Sequence, residues 1–330
     1  MTASLRATSS MSPAGSISRT FGFLMFLLGW TAVLATVLGF FGNAWWPLDV
    51  LADWRLILAI VLVLATIASG LGYSRVSAVV FLIAAIVNIY VVAPLWLDSQ
   101  PPLTSSDRVR VVSLDIGSSP DVRQDVLEWV NMVEGDIVVL ANAGSSWAGA
   151  IEQLGVPYRI VNEDPGLTGG TLILARNETG AAIEPVPAGM GAVDVVVRVP
   201  LADQQVRIVG FSTERPVSAS STQERLDDFA AVNAGVRRIT GSVVIVGNME
   251  ASRWSKAFEV LSVDLTNSED GFGYMASYPS YDMPFLGDFA GIPVDHALYQ
   301  GPITVTNRRV SPELGTDHAA IVVDFSPADG

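Results

Sequence analysis

The segment TDHAAIVVDF, residues 316–325, places an Asp-His pair directly before a run of apolar residues that is typical of a strand buried on both faces. A second pair, Asp295-His296, precedes another short apolar run, and the two pairs contain both histidines of the chain. Aspartate beside histidine at a strand edge is how hydrolases place a general base or a metal ligand, with a carboxylate orienting the imidazole. A structural pair that caps a turn explains the same residues equally well.

Short β-branched runs of this kind continue upstream, alternating with polar turns and amphipathic segments. The runs predict strands at 109–114, 137–140, 171–175, 193–199, 206–211, 243–246, 297–299 and 319–325. Helical spacing of apolar positions predicts helices at 122–133 and 224–239. We therefore expect residues 109–330 to form a single α/β domain in which strands outnumber helices.

Several motifs lie at the ends of these strands. They are VRVVSLDIGSS (109–119), DIVVLANA (136–143), GGTLILAR (169–176), VRIVGFSTERP (206–216) and GNME (247–250), followed by the two Asp-His pairs. In this order they resemble the endonuclease/exonuclease/phosphatase superfamily, the fold of DNase I-like nucleases, sphingomyelinases and inositol phosphatases. The resemblance spans about 109–325 and implies an α/β four-layer sandwich, in which two packed mixed β-sheets are flanked by helices.

The resemblance also shows which family positions have changed. Asp295, Asp317 and His318 match the family's C-terminal motifs, and the resemblance implies catalytic roles for them. The substituted positions are Asp115 for an Asn, Asn142 for the metal-binding Glu, Ser212 for a phosphate-contacting His, Asn248 for the Asp that activates water, and Glu250 for an Asn. An amide neither serves as an anionic ligand for a hard cation nor takes a proton at neutral pH, so Asn142 and Asn248 each remove a role.

This pattern favours a catalytically inactive domain that acts as a binding or scaffolding subunit without a cofactor, docked either on its own three helices or on a larger membrane protein assembly. The alternative is a phosphodiesterase or phosphatase, dependent on Mg²⁺ or Mn²⁺, that acts on a lipid headgroup or a small phosphate ester. New carboxylates stand at Asp115 and Glu250, and with Asp317 they would form a relocated metal site. An aromatic segment at 271–289 is either a binding surface or a loop anchored by its aromatic side chains; its candidates are Tyr274, Tyr278, Tyr281 and Phe285.

The first hundred residues differ in character from the rest. Residues 56–74 and 76–97 carry no charge, and 20–48 is likewise uncharged, so each run is long enough to cross a bilayer as a helix. We predict a cytoplasmic tail at 1–19, an all-α transmembrane anchor of three helices at 20–98, a Pro- and Ser-rich linker at 99–108 and an extracytoplasmic domain at 109–330.

The arginines set the predicted orientation, because positive charge is retained on the cytoplasmic side during insertion. Arg6 and Arg19 precede the first span, and Arg75 lies between the second and third. The N-terminus is therefore expected on the cytoplasmic side of a bacterial-type inner membrane, with the large domain on the opposite side. Four tryptophans are expected at the outer boundary, namely Trp45, Trp46, Trp54 and Trp96.

Composition restricts the partners. The chain has no cysteine, which excludes disulfides, thiolate metal sites and a cysteine nucleophile. From residue 105 onward it has 15 basic and 30 acidic side chains, and Lys256 is its sole lysine, so binding to nucleic acid is not expected. The bilayer is the expected partner. Small residues along the second span suit close helix packing, within the three-helix unit or against other integral membrane proteins; they are Ala59, Ala65, Ser69, Gly70 and Gly72.

Overall fold

A computed structural model describes residues 13–97, 107–117, 122–143, 147, 149–151, 155–162, 170–193, 195–280 and 291–328. Its α-helices are α1 Pro13–Leu38, α2 Trp46–Val50, α3 Arg55–Ala68, α4 Arg75–Val92, α5 Pro94–Leu97, α6 Arg123–Val133, α7 Ala219–Val236 and α8 Lys256–Ser262. Its strands are β1 Val109–Asp115, β2 Ile137–Ala141, β3 Tyr158–Ile160, β4 Leu172–Arg176, β5 Ala182–Glu184, β6 Val195–Leu201, β7 Gln204–Gly210, β8 Ser242–Asn248, β9 Thr266–Asn267, β10 Asp295–Gln300, β11 Ile303–Val310 and β12 Ile321–Pro327. The predicted linker lies outside these residues except at 107 and 108.

The N-terminal helices fit the membrane anchor that the sequence predicts. Three helical stretches are long and apolar enough to span a bilayer: Thr20–Phe41, Trp46–Leu71 and Arg75–Val92. Small side chains allow their close packing, because a Cβ at Gly29 would lie 2.6 Å from the ring of Phe81 and 2.8 Å from Ala65. Ala59 and Ala65 are buried inside the unit, which supports packing among these three helices.

The remaining chain forms two six-stranded sheets packed face to face. One has the order β11-β12-β1-β2-β4-β3 and the other β5-β6-β7-β8-β10-β9. Apolar side chains from both inner faces, such as Val139, Ile208 and Val323, form the central core. Helix α6 covers the first sheet and helices α7 and α8 cover the second. This arrangement confirms the predicted four-layer sandwich.

All eight predicted strands and both predicted helices of this domain are present, with ends shifted by a few residues. The sequence patterns do not predict the short strands β3, β5 and β9, the strand β11 or the helix α8. Strand β11, with the sequence ITVTNRRV, is an edge strand whose polar residues weaken the hydrophobic pattern, although Arg308 within it is buried. Helix α8 has only seven residues, too few for a clear helical period.

The anchor and the domain are joined by buried polar contacts. Asp49, in helix α2 at the start of the second apolar stretch, accepts hydrogen bonds from Ser255 Oγ at 2.7 Å and from the Lys256 amide at 2.6 Å. Asp53 accepts one from the Ser252 amide at 3.0 Å. At the end of the third span, Leu95 O accepts a hydrogen bond from the Gly273 amide at 2.7 Å. The domain therefore lies against one end of the bundle; which side of a membrane this is stays a prediction.

Candidate functional site

The strand order brings the candidate residues to one end of both sheets. Strands β1 and β2 are parallel, so Asp115 and Asn142 follow neighbouring strands at their carboxyl ends. Strand β10 is antiparallel to β8, which places Asp295 opposite Asn248 in the second sheet. Strand β12 is antiparallel to β1, so His318, three residues before β12, approaches the same end. The site thus lies where the two sheets open toward solvent.

Asp115 is the centre of the site, and it is buried. Its Oδ1 accepts hydrogen bonds from Asn142 Nδ2 at 2.9 Å and from the Gly117 amide at 2.8 Å. Its Oδ2 accepts one from Asn248 Nδ2 at 2.8 Å. Both carboxylate oxygens are therefore held by N–H donors of this chain, and two of those donors are the side-chain amides that replace acids of the family pattern.

Glu250 extends the network toward the surface. Asn248 Nδ2 also donates to Glu250 Oε1 at 3.1 Å, and the Glu250 amide donates back to Asn248 Oδ1 at 2.9 Å. Arg215 closes the outer side, with its Nε 3.1 Å from Glu250 Oε2 and its Nη1 3.1 Å from Tyr278 Oη. The guanidinium also lies over the Tyr278 ring, 4.5 Å from its centroid. The carboxylate at Glu250 is thus paired with a cation.

His318 and Asp295 form a buried pair beside this network. His318 Nδ1 donates to Asp295 Oδ2 at 2.8 Å, and its Nε2 lies 3.8 Å from Glu250 Oε1. Burial by itself would lower the pKa of His318. The carboxylate and hydrogen bond of Asp295, with the charges of Asp115 and Glu250, outweigh this effect and raise that pKa to about 9. His318 is therefore a cation at neutral pH.

The two Asp-His pairs of the sequence do not act as pairs. Successive side chains of a strand point to opposite faces, so Asp295 reaches His318 while His296 points away from the site. His296 Nε2 lies 2.8 Å from Ala251 O, and its Nδ1 lies 3.1 Å from Glu269 Oε1. Asp295 thus orients the histidine of the other motif, across the two sheets.

Glu269 belongs to a second buried polar cluster, which the sequence did not indicate. Burial alone would raise the pKa of Glu269, but His296, Arg308 and Arg253 outweigh it and lower that pKa to about 2. Arg308 lies 3.4 Å from Glu269 through its Nη2 and donates from Nη1 to Ser268 Oγ at 2.6 Å. Because Arg308 comes from β11 of the first sheet, this cluster connects the two sheets behind the site.

A profile of the Endonuclease/Exonuclease/phosphatase family matches residues 109–318. The chain belongs to this family. Among solved structures, truncated Caenorhabditis elegans TDP2 is similar with a TM-score of 0.53 and 17% identity, over 66% of this chain and 98% of that chain. Danio rerio TDP2, complexed with a single-strand DNA product, has a TM-score of 0.51 and 13% identity, over 67% of this chain and 100% of that chain.

An endonuclease/exonuclease/phosphatase from Bacteroides vulgatus has a TM-score of 0.50 and 15% identity, covering 67% of this chain and 99% of that chain. At these identities the likeness shows the fold alone. Among curated protein sequences, none matches this chain significantly. The family and the DNase I-like fold inferred from the motifs are therefore confirmed, whereas the roles of individual residues rest on the geometry above.

Two of the predicted site residues lie apart from the network. Ser212 follows β7 and is half-buried. Asp317 is exposed and lies beside Gly117, while its carbonyl oxygen accepts a hydrogen bond from the Ser280 amide at 2.9 Å. Of the aromatic candidates, Tyr274 stacks on Trp254, and Tyr278 packs against His318 with ring centroids 4.9 Å apart. The other two, at 281 and 285, lie outside the described residues.

The residues at the site do not fit the divalent cation that the family implies. Asp115 and Glu250 are the acids nearest to the family's metal position, and each already accepts from amide or guanidinium donors. The amide nitrogen of Asn248 must face these two carboxylates, since its oxygen would be repelled by them. Within the described residues there is no group of three or more His, Cys, Asp or Glu side chains arranged to hold a metal ion. The relocated site at Asp115, Glu250 and Asp317 stays a prediction.

Arg215 is a residue of this network that the sequence patterns did not indicate. It stands three positions after Ser212 in the motif VRIVGFSTERP, in a segment that the family resemblance connects with phosphate contact. A cation three residues after Ser212 is the feature of the sequence that could have indicated Arg215. Its pairing with Glu250 is apparent only from the fold.

Proposed function

We propose that this protein is a membrane-anchored, non-catalytic member of the endonuclease/exonuclease/phosphatase family that works as a binding module. One observation carries the proposal: both oxygens of Asp115 are satisfied by the side-chain amides of Asn142 and Asn248 and the Gly117 amide. A cation that entered would have to displace N–H groups pointing at its ligands, and no side chain at those two positions would replace them as an anionic ligand.

The charge distribution also supports binding without turnover. The family resemblance assigns water activation to the position that Asn248 occupies here. An amide takes no proton at neutral pH. His318 is a cation that donates to Asp295, so it has a proton to give, while the position that the family resemblance connects with water activation carries the amide of Asn248. Loss of one group in a preorganised site commonly lowers the rate by several orders of magnitude.

Hydrolysis by the full chain in detergent tests the proposal. Bis(p-nitrophenyl) phosphate and p-nitrophenyl phosphate would be offered with Mg²⁺, Mn²⁺ or EDTA, with His318→Ala as the matched variant. We expect no metal-stimulated rate above buffer and no difference between the two proteins. A metal-stimulated rate that His318→Ala abolishes would overturn the proposal.

The second candidate is a metal-dependent phosphoric ester hydrolase, and the retained Asp295–His318 pair favours it. The same assay decides between the two. For the Danio rerio relative, the structure holds a single-strand DNA product. We expect no such ligand here, because residues 105–330 carry twice as many acidic as basic side chains, 30 against 15, and repel polyanions.

The scaffolding role is part of the same proposal and has its own test. Copurification from native membranes in a mild detergent is expected to yield the chain together with other integral membrane proteins. Migration of the chain alone at the size of a monomer would exclude the scaffolding role. It would not bear on the binding of a small ligand.

A further inference from the structure

A cleft joins the candidate site to the membrane anchor. It has a volume of about 320 Å³, within the size range of ligand pockets. Trp46, Val50 and Asp53 of the anchor form one wall, and Pro216, Val217 and Ile292 of the domain form much of the other. Its inner end is formed by the residues that close the candidate site, Arg215, Glu250 and Tyr278.

The position of the cleft points to the bilayer as the source of its ligand. Trp46 and Val50 belong to helix α2, which begins the second apolar stretch, so this wall lies at the level where the membrane ends. An apolar side chain of its lining is left exposed, because Val217 is 70% accessible to solvent. An apolar surface left open beside a membrane boundary is favoured to contact lipid, because water solvates it poorly.

Arg215 supplies the polar end of the cleft. Of its five N–H groups, three have acceptors among the described residues, on Glu250 and Tyr278. Two remain, and the side chain is 49% exposed. Two N–H groups of a guanidinium match the geometry of two oxygens on a phosphate.

We propose that this cleft binds a phospholipid of the surrounding bilayer, with an acyl chain between Val50, Val217 and Ile292 and the phosphate on Arg215. The inference rests on the proposed function, since it names the ligand of a binding module. Glu250 and Asp53 do not oppose it directly, because the first is paired with Arg215 and the second accepts from the Ser252 amide. The lipid would connect the membrane surface with the closed site.

Photo-crosslinking tests the proposal. The full chain would carry p-benzoylphenylalanine at Val217, in nanodiscs that contain equal amounts of phosphatidylcholine and diacylglycerol. Met132, exposed at 72% on helix α6 away from the anchor, is the matched control position. Intact-protein mass spectrometry should show an added phosphatidylcholine at Val217 and none at Met132. Adducts to a second copy of the chain, adducts to another protein, or equal lipid labelling at both positions would overturn the proposal.

Two variants separate the parts of the site. Ile292→Trp fills the cleft and should abolish the adduct at Val217, with thermal unfolding as the check that the variant is folded. Arg215→Gln should leave labelling but lower the preference for phosphatidylcholine over diacylglycerol by about three- to tenfold, as expected for loss of a charge-assisted contact. An unchanged preference would refute the phosphate contact, and an unchanged adduct in a folded Ile292→Trp protein would refute the cleft.

The same spectra distinguish failure of this inference from failure of the proposed function. Adducts with the mass of intact phosphatidylcholine report binding without turnover. Adducts that have lost the headgroup would show hydrolysis. Such adducts would overturn the proposed non-catalytic function and would still support the lipid-binding cleft.

Discussion

Restoring a single family acid at Asn248 should destabilise the protein unless a cation is supplied. Asn248 Nδ2 donates to Asp115 Oδ2 at 2.8 Å and to Glu250 Oε1 at 3.1 Å. The change Asn248→Asp replaces both donors with carboxylate oxygen. Three carboxylates then share a site in which Asn248 and Asp115 are buried.

The magnitude can be estimated from these contacts. Each lost hydrogen bond to a charged acceptor is worth about 1.5–3 kcal/mol. Repulsion among the three carboxylates adds to this loss of stability. The total loss is limited, because one of the carboxylates can take up a proton. Holding a proton at pH 7 on an aspartate with an ordinary pKa costs about 4 kcal/mol. We therefore expect a net loss of about 3–5 kcal/mol, which for a domain of this size lowers the Tm by roughly 6–20 °C.

Thermal unfolding of the full chain in detergent, with EDTA or with Mg²⁺, measures this effect. Part of the lost Tm should return with Mg²⁺ in Asn248→Asp, because a divalent cation neutralises the clustered carboxylates. The wild type and Asn177→Asp, a control in an exposed turn, should not respond to Mg²⁺. If Asn248→Asp is as stable as the wild type, or the wild type itself gains Tm with Mg²⁺, the amides do not occupy the place of a cation.

Further predictions concern buried ion pairs. The pKa of His318, raised from 6.5 to about 9, means that its pair with Asp295 contributes stability fully below pH 6.5 and loses it as pH rises to 9. The Tm of the wild type should fall across that window more than that of His318→Gln. Asp49→Ala removes a carboxylate 3.5 Å from the buried Arg225 guanidinium, and should cost about 3–5 kcal/mol, measured as a lower Tm and faster cleavage by trypsin. Arg308→Met leaves buried carboxylates without their cation and should lower the free energy of unfolding by about 3–5 kcal/mol. If this variant is as stable as the wild type, Arg308 does not stabilise the buried cluster.

Much of the fold is readable from the sequence because its signals are local. Uncharged runs define the membrane spans, and β-branched runs define the central strands, whose burial on both faces makes them apolar throughout. Strand β11 escaped prediction because its buried arginine pairs across the sheets, a compensation that no local pattern contains. The Asp295–His318 pairing also depends on strand order, since the nearer histidine in sequence, His296, faces the other way.

The contacts between the anchor and the domain were equally hidden. In the sequence, Asp49 is a charge in a short loop between two spans. In the fold it accepts from the first turn of helix α8 and lies 3.5 Å from Arg225, whose Nη1 donates to the backbone oxygen of Glu250 at 2.6 Å. A chain of charged contacts thus runs from the membrane connection to the candidate site. The N-terminal helices therefore contact the segment that carries Glu250 through Asp49 and Arg225.

Four of the five substituted positions form one coordinated exchange, and Ser212 lies apart from it. Random loss of a metal site would leave converging carboxylates without a cation, or buried polar groups without partners, and each costs free energy. Here the amides Asn142 and Asn248 donate to the carboxylate at Asp115, and Glu250 is paired with Arg215. Each new acid has its donors, and each new amide has its acceptor. Because donors and acceptors match as a set, reverting any one of these four residues alone should destabilise the fold.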